Sequence, residues 1–128
     1  MPLVRIDVPD TLSHDTRRAV SDAVHAALVE AIGIPPDDRF QVVTAHAAGG
    51  LVADPNYMGI SRGSGFMSVQ VFFRRGRSGE LKRALYAAIV RNLARDAKVR
   101  PEDVLIVLTE NDPVDWSFGN GIAQYAPG

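Results

Sequence analysis

The chain has 128 residues and a formal net charge of -1, with 46% hydrophobic and 23% charged residues. These values are typical of one ordinary globular domain, and the near-neutral charge gives no basic field for nucleic acid. The apolar runs are far too short to cross a bilayer, and Arg5 interrupts the apolar start, so we expect neither a membrane partner nor a signal peptide. The chain lacks cysteine, which excludes disulfides and zinc–thiolate sites and suits a reducing cytoplasm.

An internal repeat is the main organising feature. A shift of 65 residues aligns two halves without a gap and gives nine identities among the 32 positions from 13 to 44. Pro36 and Asp38, for example, recur as Pro101 and Asp103. Two unrelated amphipathic helices would match by chance in their apolar positions, but not in this turn, so we expect two copies of one structural unit.

The first unit, residues 1–46, has the pattern of a strand, a helix and a second strand. Leu3–Val8 alternates apolar and charged residues, as a half-buried strand does. Ser13 can cap a helix with one apolar stripe, and Gly33 followed by two prolines ends it. Phe40–Thr44 is the predicted second strand.

The second unit, residues 66–110, repeats this plan. Phe66–Phe73 is rich in aromatic and β-branched residues and predicts a strand. Ser78 can cap the second helix. Val104–Leu108 is a continuous apolar strand, which predicts cover on both faces. The glycine-rich stretch 47–65 is the predicted linker between the units.

The predicted fold is a single α/β domain over residues 1–128, with residues 111–128 as a carboxy-terminal tail. Each β-α-β unit joins parallel strands by a right-handed crossover. Two units give a four-stranded, mainly parallel core sheet with two helices on one face. The other face must be buried against something. Because no helix remains to cover it, we expect another copy of the chain there.

Three stretches together carry a resemblance to a known family. They are the Met1-Pro2 start, the Arg75-Gly76-Arg77 segment before the second helix, and the tail, which reads Asp-Trp-Ser-Phe-Gly-Asn-Gly from 115 to 121 and Ala-Gln-Tyr from 123 to 125. With the tandem repeat, the chain resembles the malonate semialdehyde decarboxylase group of the tautomerase superfamily over essentially its whole length. The resemblance implies a homotrimer and cofactor-independent chemistry, without a metal, at an unblocked proline nitrogen. It implies small carbonyl acids as substrates, with tautomerisation, decarboxylation or hydration as reactions.

Pro2 is the first candidate catalytic residue. Removal of Met1 would leave its nitrogen as a secondary amine, which is a base when neutral and an acid when protonated. From position alone, Pro2 starts an edge strand, where its missing N–H costs nothing. The resemblance implies instead that Pro2 is the catalytic group.

Arg75 and Arg77 are the candidate carboxylate ligands. Two residues apart, both are predicted to face one pocket, and arginine binds carboxylates through paired N–H donors. The resemblance implies that they hold the substrate carboxylate and polarise its carbonyl; a solvated charged turn is the other interpretation. Arg74 leaves the register open by one residue, although Arg75 and Arg77 match the family's Arg-x-Arg spacing. Gly76 stands where the family often has proline.

Asp38 has two interpretations. The resemblance implies an acid that orients or activates water, or that keeps Pro2 cationic. Because Asp38 follows two prolines, it is equally a turn residue, and its repeat mate Asp103 is expected to be structural.

The tail residues Trp116, Phe118 and Tyr125 are predicted to form an apolar wall of the substrate pocket. Excluding water there would strengthen the arginine interactions. The same aromatics would also suit contacts with a neighbouring subunit. The three histidines have no metal-ligand spacing, so we expect no metal site.

Three functions remain open. The residues together with the resemblance favour decarboxylation of malonate semialdehyde or another 3-oxo acid, with a protonated Pro2. An enol–keto tautomerase of a 2-oxo acid such as phenylpyruvate would need a neutral Pro2. If Met1 is retained, Pro2 is an amide, and a non-catalytic oligomeric binding module is the remaining hypothesis.

Overall fold

Four strands and two long helices follow in the order that the repeat predicts. The computed structural model describes residues 1–128. The helices begin 65 residues apart and end 65 residues apart, which confirms two copies of one unit. The elements are β1 (Leu3–Pro9), α1 (His14–Ile32), β2 (Gln41–His46), β3 (Met67–Arg74), α2 (Gly79–Ala97) and β4 (Val104–Asn111).

The strands form one mixed sheet in the order β2-β1-β3-β4. Within each unit the two strands are parallel, as a crossover helix requires. The units meet through β1 and β3, which are antiparallel. Two of the three strand pairs are therefore parallel, which confirms the mainly parallel sheet and relates the units by an approximate twofold axis.

The helix boundaries follow local sequence signals. The hydroxyls of Ser13 and Ser78 accept the backbone N–H groups of Thr16 and Leu81, so both serines cap their helices as predicted. Gly33 ends α1 in the left-handed conformation, at φ +70°. Lys98 ends α2 in the same left-handed conformation, at φ +56°, although a side chain makes this conformation less favourable than it is for glycine.

Both helices pack on one face of the sheet, as predicted. The core consists of alternate residues of the two central strands and the apolar stripes of both helices, which form one buried cluster. Burial of such side chains stabilises the fold by about 1.5–3 kcal/mol each. The largest fully buried side chains include Ile6, Leu28, Met67, Phe73, Leu85, Ile89 and Leu93.

The opposite face of the sheet is open in the single chain. The cross-strand row on this face runs from Val42 through Arg5 and Gln70 to Val107. Val42 is 45% exposed, Val107 43% and Leu105 47%. The prediction that Val104–Leu108 is covered on both faces is therefore wrong for one chain alone, because the helices cover only one side. Neither helix is long and apolar enough to span a membrane.

Candidate active site

Three segments meet at one end of the sheet because of its topology. β1 is antiparallel to β3, with Leu3 beside Phe72, so the amino terminus lies next to the carboxyl end of β3. β2 is parallel to β1, with Gln41 beside Val4, so the turn before β2 reaches the same end. They enclose a cavity of about 570 Å³, whose lining includes Met1, Asp38, Arg74, Arg77 and Tyr125.

The amino terminus pairs with Asp38 at this cavity. The amino group of Met1 contacts the Asp38 carboxylate, whose side chain is only 16% exposed. Met1 is 5% exposed, and Pro2 is buried behind it. Asp38 thus lies at the chain's amino group, and its role there stays a prediction. When Met1 is absent, the amino group belongs to Pro2.

Two arginines face the cavity, and they are Arg74 and Arg77. The guanidinium carbon of Arg74 lies 5.4 Å from the centre of the Tyr125 ring, and that of Arg77 lies 4.8 Å from the centre of the Phe73 ring. Burial lowers the pKa of Arg77, and the positive charge of Arg74 lowers it further. Two cations held close together make a site that favours an anion.

The structure does not bring Arg75 to the cavity. Its guanidinium is exposed and donates to the Asp112 carboxylate at 3.1 Å, and this hydrogen bond raises the pKa of Arg75. Gly76 between the arginines has φ +126°, a backbone conformation that proline cannot adopt. Arg77, which follows this glycine, and Arg74, at the end of β3, both line the cavity, whereas Arg75 does not. Residues 74–77 form a segment that we name the arginine loop.

The tail aromatics pack beside the arginine loop. The rings of Trp116 and Phe118 stack 5.5 Å apart, and Tyr125 meets Phe118 edge-on at 5.2 Å. Of the three, Tyr125 lines the cavity, and the other two support it. Phe40 joins the cluster, with its ring centre 5.7 Å from that of Phe118. The sequence did not indicate Phe40 as a site residue, because nothing local links it to the tail.

Asn111 ties the tail to the arginine loop. Its backbone carbonyl accepts the N–H of Arg75 at 2.7 Å, and its side-chain oxygen accepts the indole N–H of Trp116. Gln124 forms hydrogen bonds within the tail. Its side-chain oxygen accepts the N–H of Phe118, and its side-chain NH₂ group donates to the carbonyl of Gly119. These bonds fix Tyr125 over the cavity without using the groups that face it.

The repeat places a second cavity, of about 320 Å³, beside Asp103. There the Asp103 carboxylate accepts the N–H of Gly63 at 2.7 Å instead of meeting an amino terminus. Leu12 stands where the other unit has Arg77, and Pro9 where it has Arg74. Only one of the two related cavities therefore combines an amino group, a carboxylate and two guanidinium groups.

The histidines lie away from the cavity. His46 Nε2 pairs with Asp7 at 2.7 Å on the open sheet face, and His25 Nε2 lies 2.7 Å from the carbonyl oxygen of Pro36. The chain has no cluster of three histidine or acidic side chains that would hold a metal ion. The site chemistry rests on amine, carboxylate and guanidinium groups.

Comparison with known proteins gives the family. A family model described as tautomerase enzyme matches residues 38–119, and a second with the same description matches residues 2–60. The Probable tautomerase YusQ of Bacillus subtilis (strain 168) is 35% identical over 97% of this chain and 98% of its own length.

Solved structures give the same result in three dimensions. FG41 malonate semialdehyde decarboxylase, inhibited by 3-bromopropiolate, is 46% identical over 96% of this chain and 93% of that chain, with a TM-score of 0.91. A fused 4-OT, solved as a symmetric trimer, shares the fold at 24% identity and a TM-score of 0.78, covering 94% of each chain. The chain therefore belongs to the tautomerase superfamily, in the group that resembles malonate semialdehyde decarboxylase.

Proposed function

We propose that the chain, once Met1 is removed, is a cofactor-independent enzyme that uses the Pro2 amine to decarboxylate malonate semialdehyde or another small 3-oxo acid. One observation carries the proposal: a single cavity joins the amino terminus, Asp38 and the guanidinium groups of Arg74 and Arg77. The likeness to FG41 malonate semialdehyde decarboxylase, at 46% identity, supports the choice of reaction.

In the proposed reaction Arg77 and Arg74 bind the substrate carboxylate. Their planar donors orient it so that the bond from the carboxyl carbon to C2 lies out of the plane of the carbonyl group. When this bond breaks, carbon dioxide leaves. The electron pair of the bond stays on C2 and is delocalised onto the carbonyl oxygen as an enolate. The protonated Pro2 amine donates to the enolate oxygen and stabilises it. The Pro2 ammonium group then transfers its proton to C2, which gives the aldehyde, and a proton from water restores the ammonium group.

Asp38 has the role of keeping Pro2 protonated. A carboxylate in contact with an amine favours its cationic form, and Asp38 already contacts the amino group of the chain. Asp38 can also orient a water molecule at the same place. Tyr125, with Phe118 and Trp116 behind it, excludes bulk water from the arginines and strengthens their hold on the substrate.

A tautomerase of a 2-oxo acid such as phenylpyruvate is the second candidate. The relative named Probable tautomerase YusQ favours it. The same arginines would bind the carboxylate, but Pro2 would have to be neutral and move a proton between the enol oxygen and carbon. The protonation state of Pro2 separates the two reactions.

A non-catalytic binding module is the third candidate and applies only to a chain that keeps Met1. In that form Pro2 is an amide without acid or base function, because its nitrogen is bonded to Met1. Met1 is almost fully buried, and its amino group pairs with Asp38. The cavity would keep its two guanidinium groups and could still bind an anion.

The proposed assembly is a homotrimer. The open face of the sheet exposes the apolar side chains of Val42, Leu105 and Val107, and such a face is usually buried against a partner. The fused 4-OT with the same fold is a symmetric trimer. The lack of cysteine suits work in a reducing cytoplasm.

An assay on the processed protein tests the proposal. Mass spectrometry first verifies that Met1 is absent, and the protein is then incubated with malonate semialdehyde. We expect release of carbon dioxide, and its loss in Pro2→Ala with the fold retained. Ketonisation of phenylpyruvate enol without release of carbon dioxide would favour the tautomerase. The absence of both activities would contradict an enzymatic role on these substrates.

A further inference from the structure

We propose that Glu110, held by Lys82, is a positioning residue that keeps the arginine loop in the conformation in which Arg77 faces the cavity. The inference rests on the proposed function, in which Arg77 binds the substrate carboxylate. Glu110 does not line the cavity itself, so it acts through Arg77 and not on the substrate.

Glu110 joins the elements on both sides of the arginine loop. Its carboxylate lies 3.1 Å from the ammonium group of Lys82, in the first turn of α2, and the two side chains are only 24% and 26% exposed. In the sheet, Glu110 is the neighbour of Phe73, and the Arg77 guanidinium lies 4.8 Å from the centre of the Phe73 ring. The ion pair therefore connects β4, beside the end of β3, to the start of α2, and so spans the loop that carries Arg77.

Glu110 also balances the charge of Arg77. The Arg77 guanidinium loses hydration and is repelled by Arg74, while the charges of Glu110 and Asp38 oppose both effects. Asp38 lines the cavity and Glu110 does not. Glu110 thus stabilises the cation from outside the cavity, while one Arg77 donor, Nη1, binds the Arg74 carbonyl at 3.2 Å.

The repeat supplies an internal comparison. In the first unit Arg17 stands at the place of Lys82, Ala45 at that of Glu110 and Leu12 at that of Arg77. Arg17 donates to the Asp10 carbonyl at 3.0 Å, and its Nε is buried without a partner. A pair that only joined helix to strand would serve both units equally. The carboxylate occurs only where there is an arginine to position.

Binding of malonate, a stable carboxylate probe, tests the inference. Malonate is titrated by calorimetry into the wild type, Glu110→Gln, Glu110→Ala and the control Glu30→Gln. Glu30 forms an ion pair with Arg91 between the two helices, and neither residue lines the cavity. We expect Glu110→Gln to weaken malonate binding by roughly threefold and Glu110→Ala by roughly tenfold, since Gln loses the charge but can still accept a hydrogen bond from Lys82. Glu30→Gln should bind as the wild type does.

A thermodynamic cycle and an NMR signal separate positioning from general stability. Lys82→Met should weaken binding in the wild type but add little in Glu110→Gln, because Lys82 acts through Glu110. The Nε–H signal of Arg77, assigned with Arg77→Lys, should move in Glu110→Gln and not in Glu30→Gln. With a 3-oxo acid, KM should rise while kcat changes little.

The outcomes keep the two claims apart. If Arg77→Ala loses malonate and Glu110→Gln binds it as tightly as the wild type does, the positioning role of Glu110 is wrong and the proposed function stands. If the wild type does not bind malonate, both claims fail. The isosteric Glu110→Gln carries the test if Glu110→Ala does not fold.

Discussion

Asp38 and Asp103 occupy the same turn of the two repeats but contact different partners. Asp38 contacts the amino group of the chain, whereas Asp103 accepts the N–H of Gly63 at 2.7 Å and lies 3.6 Å from Arg100. The side chain of Asp103 is 4% exposed and that of Asp38 is 16% exposed. One sequence feature thus serves the candidate site in one unit and the packing of the linker in the other.

Substitution of Asp103 should lower stability, whereas substitution of Asp38 should lower activity. Asp103→Asn should lower the free energy of unfolding by about 1–3 kcal/mol, because a buried charged acceptor is lost, and leave kcat per folded molecule unchanged. Asp38→Asn should leave the unfolding midpoint nearly unchanged and abolish most activity. Urea unfolding and steady-state kinetics check both. Equal losses of activity in the two variants would contradict the distinction.

The three arginines give a second prediction, which the structure sharpens. Arg77→Ala and Arg74→Ala should each lower kcat/KM by roughly tenfold to a hundredfold, the effect of losing a charge-assisted hydrogen bond to the substrate. Arg75→Ala should change it by less than about threefold, because Arg75 binds Asp112 in solvent. A loss in Arg75→Ala as large as in Arg77→Ala would place Arg75, not Arg74, in the site.

Glu110 predicts a pH-dependent stability. The hydrogen bond from Lys82 holds the pKa of Glu110 below its ordinary value of 4.5. A lowered pKa means that the folded state favours the carboxylate, so its stabilisation is present above 4.5 and is lost as the pH falls through the lowered value. Glu110→Gln should therefore be less stable than the wild type at about pH 7, and the difference should shrink at about pH 3. A difference that is constant across this range in urea unfolding would contradict the ion pair.

The open sheet face predicts that Val107→Glu prevents self-association. A carboxylate buried without a partner costs several kcal/mol, and Val107 lies at one end of the exposed cross-strand row, on the edge strand β4. Ala94→Glu, on the outer side of α2, is the matched control. Analytical ultracentrifugation should find trimers for the wild type and the control, and monomers for Val107→Glu. A trimeric Val107→Glu would show that another surface forms the interface.

Much of the fold could be predicted because its signals are local. Ser13, Ser78 and Gly33 mark helix ends through bonds within a few residues, and the repeat carries the assignment from one unit to the other. β4 is longer than predicted, since Thr109 to Asn111 pair with the end of β3 although they are polar. There, pairing with the neighbouring strand outweighs the local pattern.

The site was harder to predict because it depends on backbone conformation and distant contacts. The spacing of Arg75 and Arg77 suggested that they point the same way, but Gly76 between them has a positive φ, so the backbone there is not the extended strand on which that expectation depends. Phe40 contacts Phe118, far along the sequence, through packing that no periodicity reveals. Glu110 is an ordinary charged residue in the sequence and gains a role only through its neighbours Lys82 and Phe73 in the fold.

The protonation state of Pro2 tests the account most directly. The measurement is an NMR titration of the Pro2 nitrogen in protein labelled with ¹⁵N-proline and shown by mass spectrometry to lack Met1. Because Asp38 faces the amino group, the account predicts a nitrogen that stays protonated through neutral pH and titrates above it. A nitrogen that is already neutral well below neutral pH would contradict the acid role and indicate a tautomerase.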